Sequence, residues 1–459
     1  MKLVYDVKDK PKFGQLIVFA LQQLLAILSA TILVPYLVGH KMSQPAALFG
    51  AGVGTIVYLL FTKFKSPVFL GSSFAFIGSM TAAFAGGVSA SLGYAGMILG
   101  AILAGFVYVV IALIVKFAGT KWIDKLMPAV VIGPTVAIIG LSLSGTAIQQ
   151  ALDFPVWDAN ASAYVSTQHM WISLICALVT LFAVVISSVY GKKTMKLIPF
   201  IIGILAGYAC AAIFTVIGEQ TGNDALKLID FSAFKVFAHA NEYFKVPDFT
   251  FLTAAKGVSK INSSYFTTIA VAYIPVAFVV FAEHIADHKN LSSVIDKDLL
   301  EEPGLHRTLL GDGVGSMVGA FFGGCPNTTY GESVGCVAIT GNASVITIFT
   351  TAIMAIAISF LDPFVTFLST IPNCVMGGVC ITLYGFIAVS GLKMLQPVDL
   401  NDNGNLFTAS SILIAGVGSM AIKIVLKNGN IVLTEIAVAL ILGIVTNLIV
   451  SKKKAKASK

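Results

Sequence analysis

Charge is scarce in this sequence. Only 11% of its 459 residues are Asp, Glu, Lys or Arg, against 57% hydrophobic, and mean hydropathy is +0.91. Soluble domains carry about 25% charged residues, so a water-soluble globular fold of this length is excluded. Cysteine motifs are missing as well. Cys176, Cys210, Cys325, Cys336, Cys374 and Cys380 all lie in or beside apolar stretches, and none forms a C-x-x-C pair. They read as small buried residues, with neither a metal site nor a cofactor expected. A cleavable signal is not expected either: Lys8, Lys10 and Lys12 precede a full-length apolar segment with no small-residue cleavage site. The formal net charge of +7 sits at the ends of apolar segments, so it does not point to nucleic acid.

What the sequence does have is long apolar runs. Phe13 to Val38, Ala95 to Val115, Trp171 to Val189 and Ile431 to Val450 each approach or exceed the ~20 residues that cross a bilayer. Helices satisfy their own backbone polar groups in lipid, so the expected class is an all-α polytopic membrane protein. About 14 segments are read, near 14–38, 45–61, 67–87, 93–117, 126–147, 168–190, 197–217, 264–289, 305–323, 326–341, 343–361, 371–391, 406–425 and 430–450. Lysines gather at Lys63/Lys65, Lys121/Lys125, Lys192/Lys193/Lys196 and Lys289/Lys297, while the connections near 88–92, 148–167 and 324 carry none. That asymmetry makes both termini cytoplasmic. Lys41, Lys423 and Lys427 run against it.

There is an internal echo. Pro128, Val131 and Gly133 of MPAVVIG match Pro372, Val375 and Gly377 of IPNCVMG, seven segments apart. An odd number of spans per copy inverts the second copy, the plan of many secondary transporters. The same offset pairs SPVFLGSSFAFIGSM (66–80) with CPNTTYGESVGCVAIT (325–340). Both are broken by Pro and Gly, and interrupted segments at matching places in two halves point to a binding site. Pro326 and the Asn-Thr-Thr-Tyr-Gly run after it disfavour helix, leaving backbone N–H groups that only a cavity or ligand can satisfy.

Glu332 is an acid placed at membrane depth, where ionisable groups face cavities and carry function. Glu283 is either a second one or lies where its helix reaches the cytoplasmic surface, since Asp287, His288 and Lys289 follow. Carboxylate acceptors beside free backbone donors suit a small planar solute with both N–H and C=O groups. A carboxyl group that exchanges a proton there can couple transport to a proton gradient. Phe74 and Tyr330 offer rings for stacking or for packing. GDGVG (311–315) has no βαβ unit to hold a dinucleotide. Its glycines continue as Gly311, Gly315, Gly319 and Gly323, a helix-packing face. His284, Asp287 and His288 lack further ligands for a metal and read as a proton relay or as hydrogen-bonding groups.

FAEHIADHKNLSSVIDKDLLEEPGLHRTLLGDGVGSMVGAFFGGCPNTTYGESVGCVAITG (281–341) resembles the nucleobase:cation symporter-2 family of uracil permeases and nucleobase/ascorbate transporters. Glu332, Gly335, Thr340 and Gly341 match its signature, and NTTYGE is similar to the uracil branch. VPYLVG (34–39), GSSFAFI (71–77) and MGGVCITLYG (376–385) extend the resemblance. It implies two inverted seven-span repeats forming a core and a gate domain, often as a homodimer through the gate domains. Residues 1–12 are then a cytoplasmic N-terminus, 13–117 and 264–361 the core, 118–217 and 362–450 the gate, 218–263 an extracellular loop and 451–459 a basic cytoplasmic tail.

The resemblance also implies that Glu283 and Glu332 bind the base, with the backbone N–H groups of Gly331 and Phe74 on a ring carbonyl and Tyr384 at the gate. Two departures stand out. The family's Glu-His-x-Gly-His is here Glu283-His284-Ile285-Ala286-Asp287-His288, so Asp287 replaces a histidine linked to proton coupling, and Ser333 replaces an Asn. The expected activity is uracil import with protons, through Glu283, Asp287, His288 and Glu332. Sodium coupling and a purine-type base are the alternatives. An anion exchanger or channel of related architecture would instead place basic residues at the unwound ends, and no nucleophile–base pair suggests an enzyme.

Overall fold

The computed structural model describes residues 3–152, 156–158, 163–165, 170–192, 195–238, 243–426 and 429–457. The chain runs α1 (Phe13–Val38), α2 (Gln44–Phe61), β1 (Leu70–Ser72), a 3-10 turn (Phe74–Phe76), α3 (Ile77–Ala83), α4 (Ala90–Ala118), α5 (Lys121–Leu126), α6 (Ala129–Ser142) and α7 (Ser144–Leu152). Then come β2 (Val156–Asp158), β3 (Ala163–Val165), α8 (Met170–Tyr190), α9 (Pro199–Thr221), α10 (Thr250–Ala254) and α11 (Ser263–Ile295). The last part holds α12 (Leu305–Gly323), β4 (Asn327–Thr329), α13 (Gly331–Thr340), α14 (Val345–Ile358), α15 (Asp362–Ser369), α16 (Asn373–Lys393), α17 (Asn403–Val417), β5 (Ile422–Leu426), β6 (Gly429–Leu433) and α18 (Glu435–Ala457).

Among the described residues, eight helices are long and apolar enough to cross a membrane. Each of the fourteen apolar segments read from sequence coincides with a helix or with a strand leading into one. Side chains cap several starts: Ser43 accepts from the Ala46 N–H, Asn262 from Tyr265 and Asp402 from Asn405.

The chain divides into two compact units. One holds Met1–Ser142, Pro247–Ala357 and Ile387–Lys459; the other holds Leu143–Val246 and Ile358–Phe386. Within the first, α2 and α12 pack through glycine. A methyl group at Gly50 would stand 2.4 Å from the Gly319 carbonyl oxygen, and one at Gly315 would stand 2.7 Å from that of Gly54. The Gly311/Gly315/Gly319/Gly323 face is therefore a helix-packing face, as its spacing implies.

Three elements depart from their expected bounds. The thirteenth segment, read as 406–425, stops being helical at Val417, and Ile422–Leu426 instead pairs with Gly429–Leu433 in a hairpin. The β-branched Ile422, Ile424 and Val425, facing Ile431 and Val432 across the register, favour paired strands over a continued helix. Lys423 thus belongs to a strand rather than to the end of a span, and Lys427 lies outside the described residues. Helix α11 runs to Ile295, past the expected end at 289, so Glu283 sits twelve residues before its end. The 218–263 connection is not all loop, since α10 lies within it.

Candidate functional site

The third and tenth segments are strands before they are helices. β1 and β4 pair antiparallel, with Leu70 opposite Thr329, Gly71 opposite Thr328 and Ser72 opposite Asn327, and all six residues are buried. Pro326 and the β-branched Thr328 and Thr329 disfavour helix at this point. The extended backbone that results is satisfied by the partner strand. Thr55 Oγ1 receives the Leu70 N–H at 2.9 Å, the Ser73 N–H donates to the Pro326 carbonyl at 2.9 Å, and the Asn327 amide donates to Gly50 O at 3.2 Å. Two short helices leave this crossing, α3 through the 3-10 turn that begins at Phe74, and α13 through Tyr330. The first turn of α13 has no side-chain cap at Tyr330, and Gly331 is exposed while Glu332 is half-buried. Backbone donors and a carboxylate thus open together.

Helix α11 faces this turn with its acids. Glu283 and Asp287 are one helical turn apart and both half-buried, whereas His284 and His288, on the adjoining face, are fully buried. Thr329 Oγ1 donates to Asp287 Oδ2 at 2.6 Å, which ties α11 to β4. A Cβ placed on Gly331 would stand 3.8 Å from Asp287 Oδ1. Glu283 lies within electrostatic reach of Asp287, Glu332 and Asp312. Glu283, Asp287, Gly331 and Glu332 are therefore brought together.

Behind the acids the histidines form a closed polar chain. His284 Nδ1 lies 2.7 Å from Asp312 Oδ2 and its Nε2 3.0 Å from Thr308 Oγ1. His288 Nδ1 lies 2.8 Å from the His284 carbonyl, and its Nε2 2.7 Å from the Tyr58 hydroxyl, which is itself 2.7 Å from Ser66 Oγ. The two imidazole rings stack at 4.0 Å. Every ring nitrogen has a partner, as burial of polar groups requires.

Of the two aromatic candidates, Tyr330 is buried, packs its ring on Gly71 and donates its hydroxyl to Ser72 O at 2.9 Å; Phe74 is 7% exposed. Tyr384 is buried on α16, in the second compact unit. Four residues around the site carried no role in the sequence reading: Gln23, Tyr58, Asp312 and Thr329. Asp312 had a usable signal, an acid inside the glycine-rich apolar segment, which the packing pattern masked.

With its third and tenth segments broken where they cross, the chain has the inverted-repeat fold of the solved transporters on which it superposes. The chain superposes on the transmembrane domain of a cyanobacterium bicarbonate transporter, BicA, with a TM-score of 0.60 at 14% identity, covering 96% of this chain and 98% of that one. The murine anion transporter Slc26a9, inward-facing, gives 0.62 at 11% identity over 97% and 69%. Such identities speak for the fold alone. Sequence is more specific: residues 14–425 match the model of the xanthine/uracil Permease family. The chain belongs to that family, the nucleobase:cation symporter-2 family. It is 40% identical to the uracil permease of Bacillus caldolyticus over 451 residues, covering 98% of this chain and 95% of that one. The Bacillus subtilis uracil permease is 38% identical over 456 residues (99% and 96%), and that of Escherichia coli 35% over 445 (96% and 93%).

Proposed function

We propose that this protein imports uracil across the cell membrane by proton symport. The observation that carries the reading is end-to-end similarity to uracil permeases, joined to a carboxylate pair set beside an uncapped helix start. Uracil is small and planar, with two ring N–H donors and two carbonyl acceptors. Glu283 and Glu332 accept the N–H groups, and the backbone N–H groups of Gly331 and Phe74 donate to a ring carbonyl. Charge-assisted hydrogen bonds of this kind are roughly twice as strong as neutral ones.

The solute is neutral, so concentrating it needs a coupled ion. Glu283, Asp287, His288 and Glu332 form the proton route: a carboxylate that takes up a proton loses its charge and can be carried through a low-dielectric passage. Access alternates as the core domain (13–117 and 264–361) rocks against the gate domain (118–217 and 362–450). The protein works in the plasma or inner membrane with both termini cytoplasmic, surrounded by lipid, and pairs as a homodimer through its gate domains.

Uptake of radiolabelled uracil into permease-deficient cells tests the assignment. The unmodified protein restores uptake, which unlabelled uracil competes away more strongly than xanthine or uric acid. Glu332→Ala reduces uptake at least about a hundredfold, the scale of a lost charged contact worth roughly 3 kcal/mol. Wild-type-like uptake by Glu332→Ala, or competition by xanthine ahead of uracil, refutes it.

A further inference from the structure

Next to Glu332, and turned the other way, is Ser333. Consecutive residues on a helix point about 100° apart; Glu332 is half-buried, while Ser333 is completely buried in the side of α13. Its hydroxyl oxygen receives two donors. The Gln23 side-chain amide, from α1, donates to Ser333 Oγ at 2.5 Å and reaches Ser333 O at 3.4 Å, and the Phe69 backbone N–H donates to the same Oγ at 3.2 Å. A serine oxygen has two acceptor lone pairs, and both are used. Gln23 is only 2% exposed, and Phe69 immediately precedes β1. One hydroxyl thus joins three segments: α1, the approach to β1, and the first turn of α13. Burying a primary amide inside an apolar helix costs energy unless it is bonded, so the pair is a fixed joint.

We propose that Gln23 and Ser333 are positioning residues of the transport site. They touch no solute; their bond sets the rotation of the first turn of α13, and through it the aim of the Glu332 carboxylate and the Gly331 N–H. The joint rests on the reading of Glu332 as a binding group.

The test is a double-mutant cycle of Gln23→Leu and Ser333→Ala, read as kinetic constants. Each single change raises the KM for uracil about tenfold, the cost of one buried hydrogen bond, while maximal rate per molecule stays within about twofold. The double variant is no worse than either single one, and Ser333→Thr, which keeps the hydroxyl, restores the KM. Discrimination against 3-methyluracil, which lacks one ring N–H, falls in both single variants, because a misaimed carboxylate no longer reads that position. A purely structural role predicts less folded protein at unchanged KM and unchanged discrimination; that result, or additive effects in the double variant, overturns the proposal. The cycle uses whichever of uracil, thymine, xanthine or hypoxanthine the unmodified protein carries, so loss of the uracil assignment is scored separately. Should it carry none of them, the reading of Glu332 as a base-binding group fails and the positioning role falls with it.

Discussion

At the level of single residues, the site separates its acids by what holds them. Asp287 is fastened by Thr329 at 2.6 Å, while Asp312 is sealed against His284 at 2.7 Å. The two should respond differently to substitution. Asp287→Asn keeps a partner for the Thr329 hydroxyl but removes a group able to carry a proton. Exchange of labelled for unlabelled uracil across the membrane should survive within about threefold, while accumulation driven by a pH gradient falls at least about tenfold; equal losses in both assays argue against Asp287 in the coupling route. His284→Leu acts through folding instead. Leaving a buried polar group without its partner costs about 1–3 kcal/mol, so the variant should yield less folded protein in detergent. Adding Asp312→Leu should recover most of the loss, because it removes the stranded carboxyl. If the single variant is as stable as wild type, the pair is not under the strain of burial that its exposures of 0% and 1% imply.

Among the elements, the β1–β4 crossing depends on one close approach. A methyl group at Gly71 would stand 2.3 Å from two ring carbons of Tyr330, so Gly71→Ala must move that ring or the strand. Overpacking of this kind costs typically 1–3 kcal/mol. Gly71→Ala should lower the unfolding temperature and the uptake rate together, and Tyr330→Leu in the same chain should restore part of both; no shift in unfolding temperature would mean the crossing tolerates the group. A second element is the N-terminal strap. Val4 and Tyr5 N–H groups donate to Gly341 O at the end of α13, Ala343 N–H donates to Tyr5 O, and Val345 N–H to Val7 O. Asp6 pairs with Lys297, whose ammonium group holds the Asp6 carboxyl below its ordinary 3.8. A lowered carboxyl value contributes stability above the unfolded pKa and loses it as pH falls through the folded one. Both groups are half-exposed, so the pair is worth at most about 1 kcal/mol. Asp6→Asn should therefore lower the unfolding temperature slightly at pH 7 and low salt, with the difference shrinking in high salt and vanishing well below pH 3.8; a difference that grows on acidification would reverse the sign and exclude the pair as its source.

These elements were unequally legible in the chain. Pro326 and the threonines after it announced a break, and the glycine spacing of α12 announced a packing face, because both are local consequences of residue type. That the third segment hydrogen-bonds to the tenth was not legible, since pairing across some 250 residues depends on how the intervening helices return. The β-branched strands β5 and β6 could have been read, but their apolar composition made them look like the ends of spans. Gln23 had a local signal only as an amide within a greasy helix; its partner Ser333 is set by tertiary contact.

On the scale of the whole molecule, the open choice is the coupling ion. Uracil is neutral at physiological pH, so moving one proton with each molecule carries one net positive charge inward. At thermodynamic balance each unit of pH gradient supplies 1.36 kcal/mol, which supports about tenfold accumulation of the solute, and each 100 mV of inside-negative potential adds about 2.3 kcal/mol. Reconstituted into sodium-free liposomes with an acidic exterior, the protein should concentrate labelled uracil inside. A protonophore should collapse the gradient of uracil, and a potassium diffusion potential, negative inside, should raise it without any pH difference. Replacing external choline with sodium should leave all three results unchanged. Accumulation that appears only with an inward sodium gradient, and ignores the pH step, would transfer the coupling role from the carboxyl protons to a cation held by the same oxygen-rich crossing. The potential-driven arm responds to either ion, so the pH step and the sodium replacement, taken together, decide between them.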